Sequence, residues 1–241
     1  MSRNGILTVI ILLSSGTAFV QAANAAEEEG PWSGKASLGY LSTSGNTDTT
    51  SYNTAFEISY AVNKWNHTFN AAANGAGESG TTTAEAYQAG WQSNYDVSEH
   101  SFLFGHVAWR KDRFSGVNEQ LSESVGYGRR IIETPAHLLS GEIGVGHTSL
   151  DFADDTSSSS AIVTLGMNYK WTFSETSNFE QNIDVESGSD NTYIESVSAV
   201  RAKLLGDFAL VLSYTVKHNT EVPVGSQKTD KLTAISVEYA F

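Results

Sequence analysis

Six histidines, His67, His100, His106, His137, His147 and His218, are the side chains of this chain best suited to proton transfer near neutral pH. His147 stands two residues from Ser149, and a serine beside a histidine is the start of a nucleophilic acyl-transfer site. Such a site also needs an orienting polar group, and no local motif around His147 supplies one. His100 and His137 sit beside tight-turn segments, where a solvated imidazole is the ordinary case. Asp151, Asp154 and Asp155 are oxygen ligands of the kind calcium takes, but they lie in the polar run 151–160, which a solvated loop explains. Gly144-Val145-Gly146 would bring backbone close to a phosphate only if a helix followed it, and none does. The expectation is a protein that is not an enzyme and that uses no metal and no cofactor.

The remaining charged residues are set at alternate positions of apolar segments. Glu57, Arg110, Glu142, Lys170, Glu180, Asp184, Glu186, Glu195, Arg201, Lys203 and Glu238 each fall on the parity opposite the bulky apolar residues. In a strand, opposite parities are opposite faces. These residues are therefore expected to line an interior from which lipid is excluded, as are Lys35, Asp112, Arg130 and Lys217.

The chain ends place that pattern in a membrane. In the last eleven residues, Ile235, Val237, Tyr239 and Phe241 share one face, while Ala234, Ser236, Glu238 and Ala240 share the other. A chain that stops on an aromatic residue resembles the terminal strand of bacterial outer-membrane β-barrels. The glycine usual inside that segment is absent, with Thr233 near its place. Tyr239 and Phe241 are the expected assembly signal, read by the barrel-assembly machinery. At the other end, Arg3, the apolar run 6–20 and Ala23-Asn24-Ala25 form a secretory signal peptide, residues 1–25. Residues 26–31 are an acidic lead-in and 32–241 a single all-β domain.

Composition excludes several classes. With no cysteine, no disulfide framework stabilises the exported chain. The formal charge of −13 becomes −14 once Arg3 leaves, which argues against nucleic-acid binding. The mature segment has no apolar run long enough for a helical span, so outer-membrane lipid is met by strands.

Alternation yields about twelve strands, with ten as the alternative because the third (65–75) and tenth (192–204) are weak. The clearest is 161–173, with Ala161, Val163, Leu165, Met167, Tyr169, Trp171 and Phe173 on one face. Expected loops are 42–49, 76–83, 111–118, 151–160 and 219–228. In the fifth strand Phe102 and Phe104 fall on the parity opposite Leu103 and Val107 and blur the register. Trp32, Trp65, Tyr95, Trp171, Phe179, Phe208 and Tyr239 fall at tight-turn ends, and Tyr40, Tyr52, Trp109 and Tyr127 toward long-loop ends. Two aromatic bands are what two membrane interfaces select. A soluble β-sandwich also alternates but has no reason to carry such girdles. The fold class is an all-β, antiparallel, up-and-down transmembrane barrel.

Gly39-Tyr40 with Ser44-Gly45-Asn46-Thr47, the segment Arg110-Lys111-Asp112-Arg113-Phe114-Ser115-Gly116, and Ser124-Val125-Gly126-Tyr127-Gly128 resemble the salt-induced outer-membrane protein family, also known as domain of unknown function 481. The resemblance implies a Gram-negative outer-membrane barrel linked by name to salt stress, and it carries no catalytic residues. A narrow passive pore for ions or small solutes, an envelope component under osmotic stress, and a plugged structural barrel all fit the residues.

Overall fold

The computed structural model describes residues 30–43, 48–112, 117–152, 156–222 and 227–241. The expected signal segment and residues 26–29 of the lead-in lie outside these, as do Asp154 and Asp155. Twelve strands follow in chain order: β1 Trp32–Thr43, β2 Thr49–Val62, β3 Trp65–Glu78, β4 Thr81–Ser98, β5 Ser101–Asp112, β6 Val117–Glu133, β7 His137–Phe152, β8 Ser157–Ser174, β9 Ser177–Gly188, β10 Thr192–Leu205, β11 Phe208–Asn219 and β12 Thr229–Ala240. Each pairs antiparallel with its chain neighbours, and β1 pairs with β12 to close the barrel. The strand count is twelve, and both weak strands are present.

Several expected loops are shorter than their composition suggested. The segment 76–83 collapses to the turn Ser79-Gly80, whose φ values of 50° and 81° are both left-handed. That geometry matches the right-handed twist of a hairpin, so β3 and β4 run on past their last bulky side chain. Likewise β7 reaches Phe152 and β8 begins at Ser157, with Thr148↔Ser160 and Asp151↔Ser157 in register. Lys111 and Asp112 belong to β5, and β6 starts at Val117. Backbone pairing sustains these polar arms, and it has no counterpart in a hydrophobic pattern.

The outer surface is an apolar belt that includes Leu38, Phe56, Trp91, Val125, Val145, Leu165, Leu212 and Ile235, all exposed. Aromatic contacts gather where the tight turns are: Trp32 with Tyr60, Trp65 with Tyr95, Trp171 with Phe173, and Phe208 with Tyr239. Tyr127 belongs to this band, not to the long-loop band expected for it. Its hydroxyl bonds Ser101 Oγ at 2.7 Å, at the tight-turn start of β5, because β6 extends far beyond it toward the long-loop side.

Closure is the shortest ladder. Its register runs from Lys35↔Ala240 to Leu38↔Val237. It is extended by Gly34 N donating to Phe241 O at 2.8 Å and Phe241 N donating to Gly34 O at 2.9 Å. The Phe241 ring lies over Gly34, where a Cβ would fall 2.6 Å from it, and stacks against Phe56 and Tyr239 at 6.5 and 6.1 Å.

Two outcomes follow from this architecture. Deleting Phe241 removes both terminal hydrogen bonds and the stack, so refolding into bilayers should yield less of the compact, heat-modifiable band on gels. A deletion that kept the full yield would show that the seam does not depend on it. Leu165→Arg, outward and mid-strand, should lower folding stability by about 2–4 kcal/mol in denaturant titrations, while Ser236→Lys on the inner face should cost far less.

Candidate functional site

The inward parity of every strand delivers its polar side chains to one shared interior, and these pair across it in two groups. In the first, Arg201 of β10 lies between Glu180 of β9 and Glu238 of β12. Its guanidinium bonds Glu180, and its Nε donates to Glu238 Oε1 at 2.9 Å. Lys170 Nζ approaches Glu180 Oε1 at 3.7 Å, and Lys35 Nζ approaches Glu57 Oε1 at 3.2 Å. In the second, Arg110 of β5 crosses the lumen to Glu186 of β9, with Nη2 3.0 Å from Oε1. Its guanidinium sits 4.7 Å from the Tyr193 ring centroid. Gln120 Nε2 and Ser122 Oγ each donate to Glu186 Oε2 at 2.9 Å. Glu195, only 1% exposed, accepts from the Tyr193 hydroxyl and lies 4.0 Å from Lys217 Nζ.

Of the eleven lumen residues named first, Glu57 through Glu238, ten face one interior and Lys203 does not. Of the acids on β9, Glu180 pairs with β10, through Arg201. Glu186 is claimed by Arg110 from the far wall, because an arginine stem is long enough to cross a barrel of this size. Asp184 stands in register with Glu195, a like-charged neighbour and not a partner. Lys203 is exposed, beyond the interior, beside a bulge between Lys203 and Leu205 that shifts the register just before the last pair, Leu205↔Phe208. Arg130 reaches Asp96 at 2.7 Å near the tight-turn rim.

The interior is not wholly polar. Phe102 and Phe104 are 4% and 7% exposed and fill it. They pack over glycines, since a Cβ at Gly128 would meet the Phe102 ring at 2.2 Å and one at Gly126 the Phe104 ring at 2.6 Å. Ile162, Val197, Val211 and Leu232 are also buried on the inward parity. A narrow barrel is filled by side chains, so inward positions accept apolar residues that parity alone would send to lipid. The glycines on the inward parity of β6 were the available signal.

The spaces left inside are small: about 50 Å³ beside Arg110 and Glu142, about 30 Å³ beside Arg130, and about 80 Å³ between Lys35 and Arg201. The last has walls of small residues, including Ser37, Ala55, Ala72, Ala199, Ser213, Ala234 and Ser236. One side of the lumen is thus crowded and the other is lined by short side chains.

On the outer face, His147 and Ser149 are both exposed, and His147 stands opposite Glu123 of β6. A second serine–histidine pair was not foreseen: His67 Nδ1 and Ser93 Oγ are 2.8 Å apart, with His67 stacked on Trp65 at 5.6 Å. They stand opposite each other in the β3–β4 register, which a linear reading of residues 26 apart does not reveal.

An apolar exterior with an aromatic band, a closed antiparallel ladder and a charged, partly filled interior define a transmembrane β-barrel of the porin-like class. The chain belongs to the family described as "Protein of unknown function, DUF481", whose profile matches residues 36–241. It is 26% identical over 246 residues to "Uncharacterized protein YdiY" of Escherichia coli (strain K12), a match covering 100% of this chain and 95% of that protein. Among solved structures it is similar to the NanC porin, at 10% identity and TM-score 0.50, over 86% of this chain and 97% of that one. It is also similar to the translocator domain of the autotransporter NalP from Neisseria meningitidis, at 10% identity and TM-score 0.51, over 89% and 90% of the two chains. At such identities the likeness is one of fold.

The glycine–phenylalanine packing makes a testable claim. Gly128→Val should destabilise the barrel by about 1–3 kcal/mol through overpacking, and Phe102→Ala in the same chain should relieve part of that loss. Additive losses in urea titrations would mean that the two positions do not share the space.

Proposed function

We propose that this barrel resides in the outer membrane of a Gram-negative envelope and gives small ions and water a narrow, low-conductance path, serving the cell under salt or osmotic stress. The carrying observation is the asymmetry of the lumen: a wall of short side chains on β1–β3 and β10–β12 runs beside the Lys35–Glu57 and Arg201–Glu180–Glu238 pairs. Alternating charges at such a constriction admit ions one at a time and reject larger solutes. The acid excess of the chain supports weak cation preference. In this proposal the terminal strand with Tyr239 and Phe241 is what the barrel-assembly machinery reads, and the protein acts as a conduit and not as a catalyst.

A second reading has its own support. Phe102, Phe104 and the small separate cavities favour a plugged barrel that serves the envelope structurally.

Planar-bilayer recording of the purified protein separates the two. Small steps with a reversal potential on the cation side are expected, and Arg201→Ser should enlarge the steps by opening the constriction. Silence at every salt concentration, in both wild type and Arg201→Ser, would sink the pore and leave the structural role. Lipid hydrolysis by the purified barrel, lost in His147→Ala or His67→Ala, would overturn the non-catalytic proposal.

A further inference from the structure

We propose that the interior cavity over Gly166 is a binding site for a small monovalent cation, with Glu142 and Asp184 as its charged ligands. Glu57, Glu180, Glu186, Glu195 and Glu238 each have a lysine or arginine nitrogen within 4.0 Å. Glu142 and Asp184 have none among the described residues; Glu142 accepts only the Gln92 amide, at 3.2 Å. Gly166 of β8 stands opposite Glu142 of β7 on one side and Asp184 of β9 on the other. A Cβ placed on Gly166 would come 3.5 Å from Glu142 Oε2 and 3.8 Å from Asp184 Oδ1. The two carboxylates thus converge over Gly166, which puts no side chain between them.

The space they face is a cavity of about 50 Å³, which Gln92 and Thr164 also line. A water molecule needs roughly 10–15 Å³ of such volume, so an ion with part of its hydration shell fits. Thr164 Oγ1 is buried there without a partner, and Glu195, in register with Asp184 and 1% exposed, keeps its Oε1 buried and unpartnered. Arg110 lines the same cavity, but its one charge is matched by Glu186. Glu142 and Asp184 remain as two half-buried carboxylates without a basic partner on one wall of the cavity, and an entering cation would relieve their mutual repulsion. Among the described residues, no group of three or more His, Cys, Asp or Glu is spaced to hold a metal ion. Two carboxylates, a hydroxyl oxygen and water are an all-oxygen set of the kind hard cations take, short of the roughly 6–8 oxygens of a calcium site.

Binding here does not require the barrel to conduct, so the inference goes beyond the proposed path and is tested apart from it. The folded barrel in zwitterionic detergent is titrated with sodium chloride while sodium NMR linewidth is followed, and thermal unfolding is compared in sodium chloride and N-methylglucamine chloride of equal ionic strength. Wild type should show saturable sodium broadening that potassium displaces, and a higher transition temperature in sodium. Glu142→Gln combined with Asp184→Asn should weaken the apparent affinity at least about tenfold and remove the sodium-specific stabilisation. Glu175→Gln, in the exposed β8–β9 turn, should leave both unchanged. Non-saturable broadening on wild type overturns the site without recourse to any variant, as does sodium stabilisation that persists in the double variant.

Discussion

Every backbone amide and carbonyl at membrane depth must find its partner inside the protein, because lipid offers none and each orphan costs several kcal/mol. A sheet can meet that demand only by having no edge. Here the demand is met at the narrow seam between β1 and β12, where a short register and the reciprocal Gly34–Phe241 bonds join the first strand to the last residue. Once the sheet is closed, each strand residue faces either lipid or lumen, and a one-residue slip of β8 would turn Leu165 to the lumen and Thr164 to lipid.

Closure also sets the size of the interior, and size sets what the interior can hold. With twelve strands, an arginine on one wall reaches a glutamate on another, as Arg110 does from β5 to Glu186 on β9. Charges buried this way are weak contributors to stability, since desolvation offsets most of their attraction. They restrict which strand faces which, because misplacing any strand leaves a charge without its counterpart. Phe102 and Phe104 fill what the charges leave on that side, over Gly126 and Gly128. The opposite side keeps short residues and stays looser.

Strand identity was legible because lipid enforces alternation on one face, as in β8, where Val163 to Phe173 never break it. The inner face is bound by no such rule, and there the reading weakened. Phe102 and Phe104 looked like a blurred register because an apolar side chain suits a filled lumen as well as lipid. The polar arms of β3, β4, β7 and β8 looked like loops because ladder hydrogen bonds leave no mark in side-chain type. Parity placed Glu142, Asp184 and Arg201 inside, but it could not say who meets whom. That depends on strand tilt and shear, which decide how far around the barrel a residue is carried from its chain neighbours.

The same division limits where this fold can acquire a function. The outward half of each strand answers to lipid and the backbone answers to closure, which leaves the inward half and the loops. Within the inward half the walls are unequal: Phe102, Phe104 and the Arg110–Glu186–Tyr193 group interlock on one side, while around Arg201 the walls of β1–β3 and β10–β12 are mostly alanine, serine, asparagine and valine. A substitution on the crowded wall must be matched by its neighbours across the lumen. One on the open wall changes the width and charge of the lumen with fewer neighbours to match. Variation of the lumen is therefore cheapest on the wall that also closes the barrel, so the seam strands carry both closure and the more alterable part of the lumen.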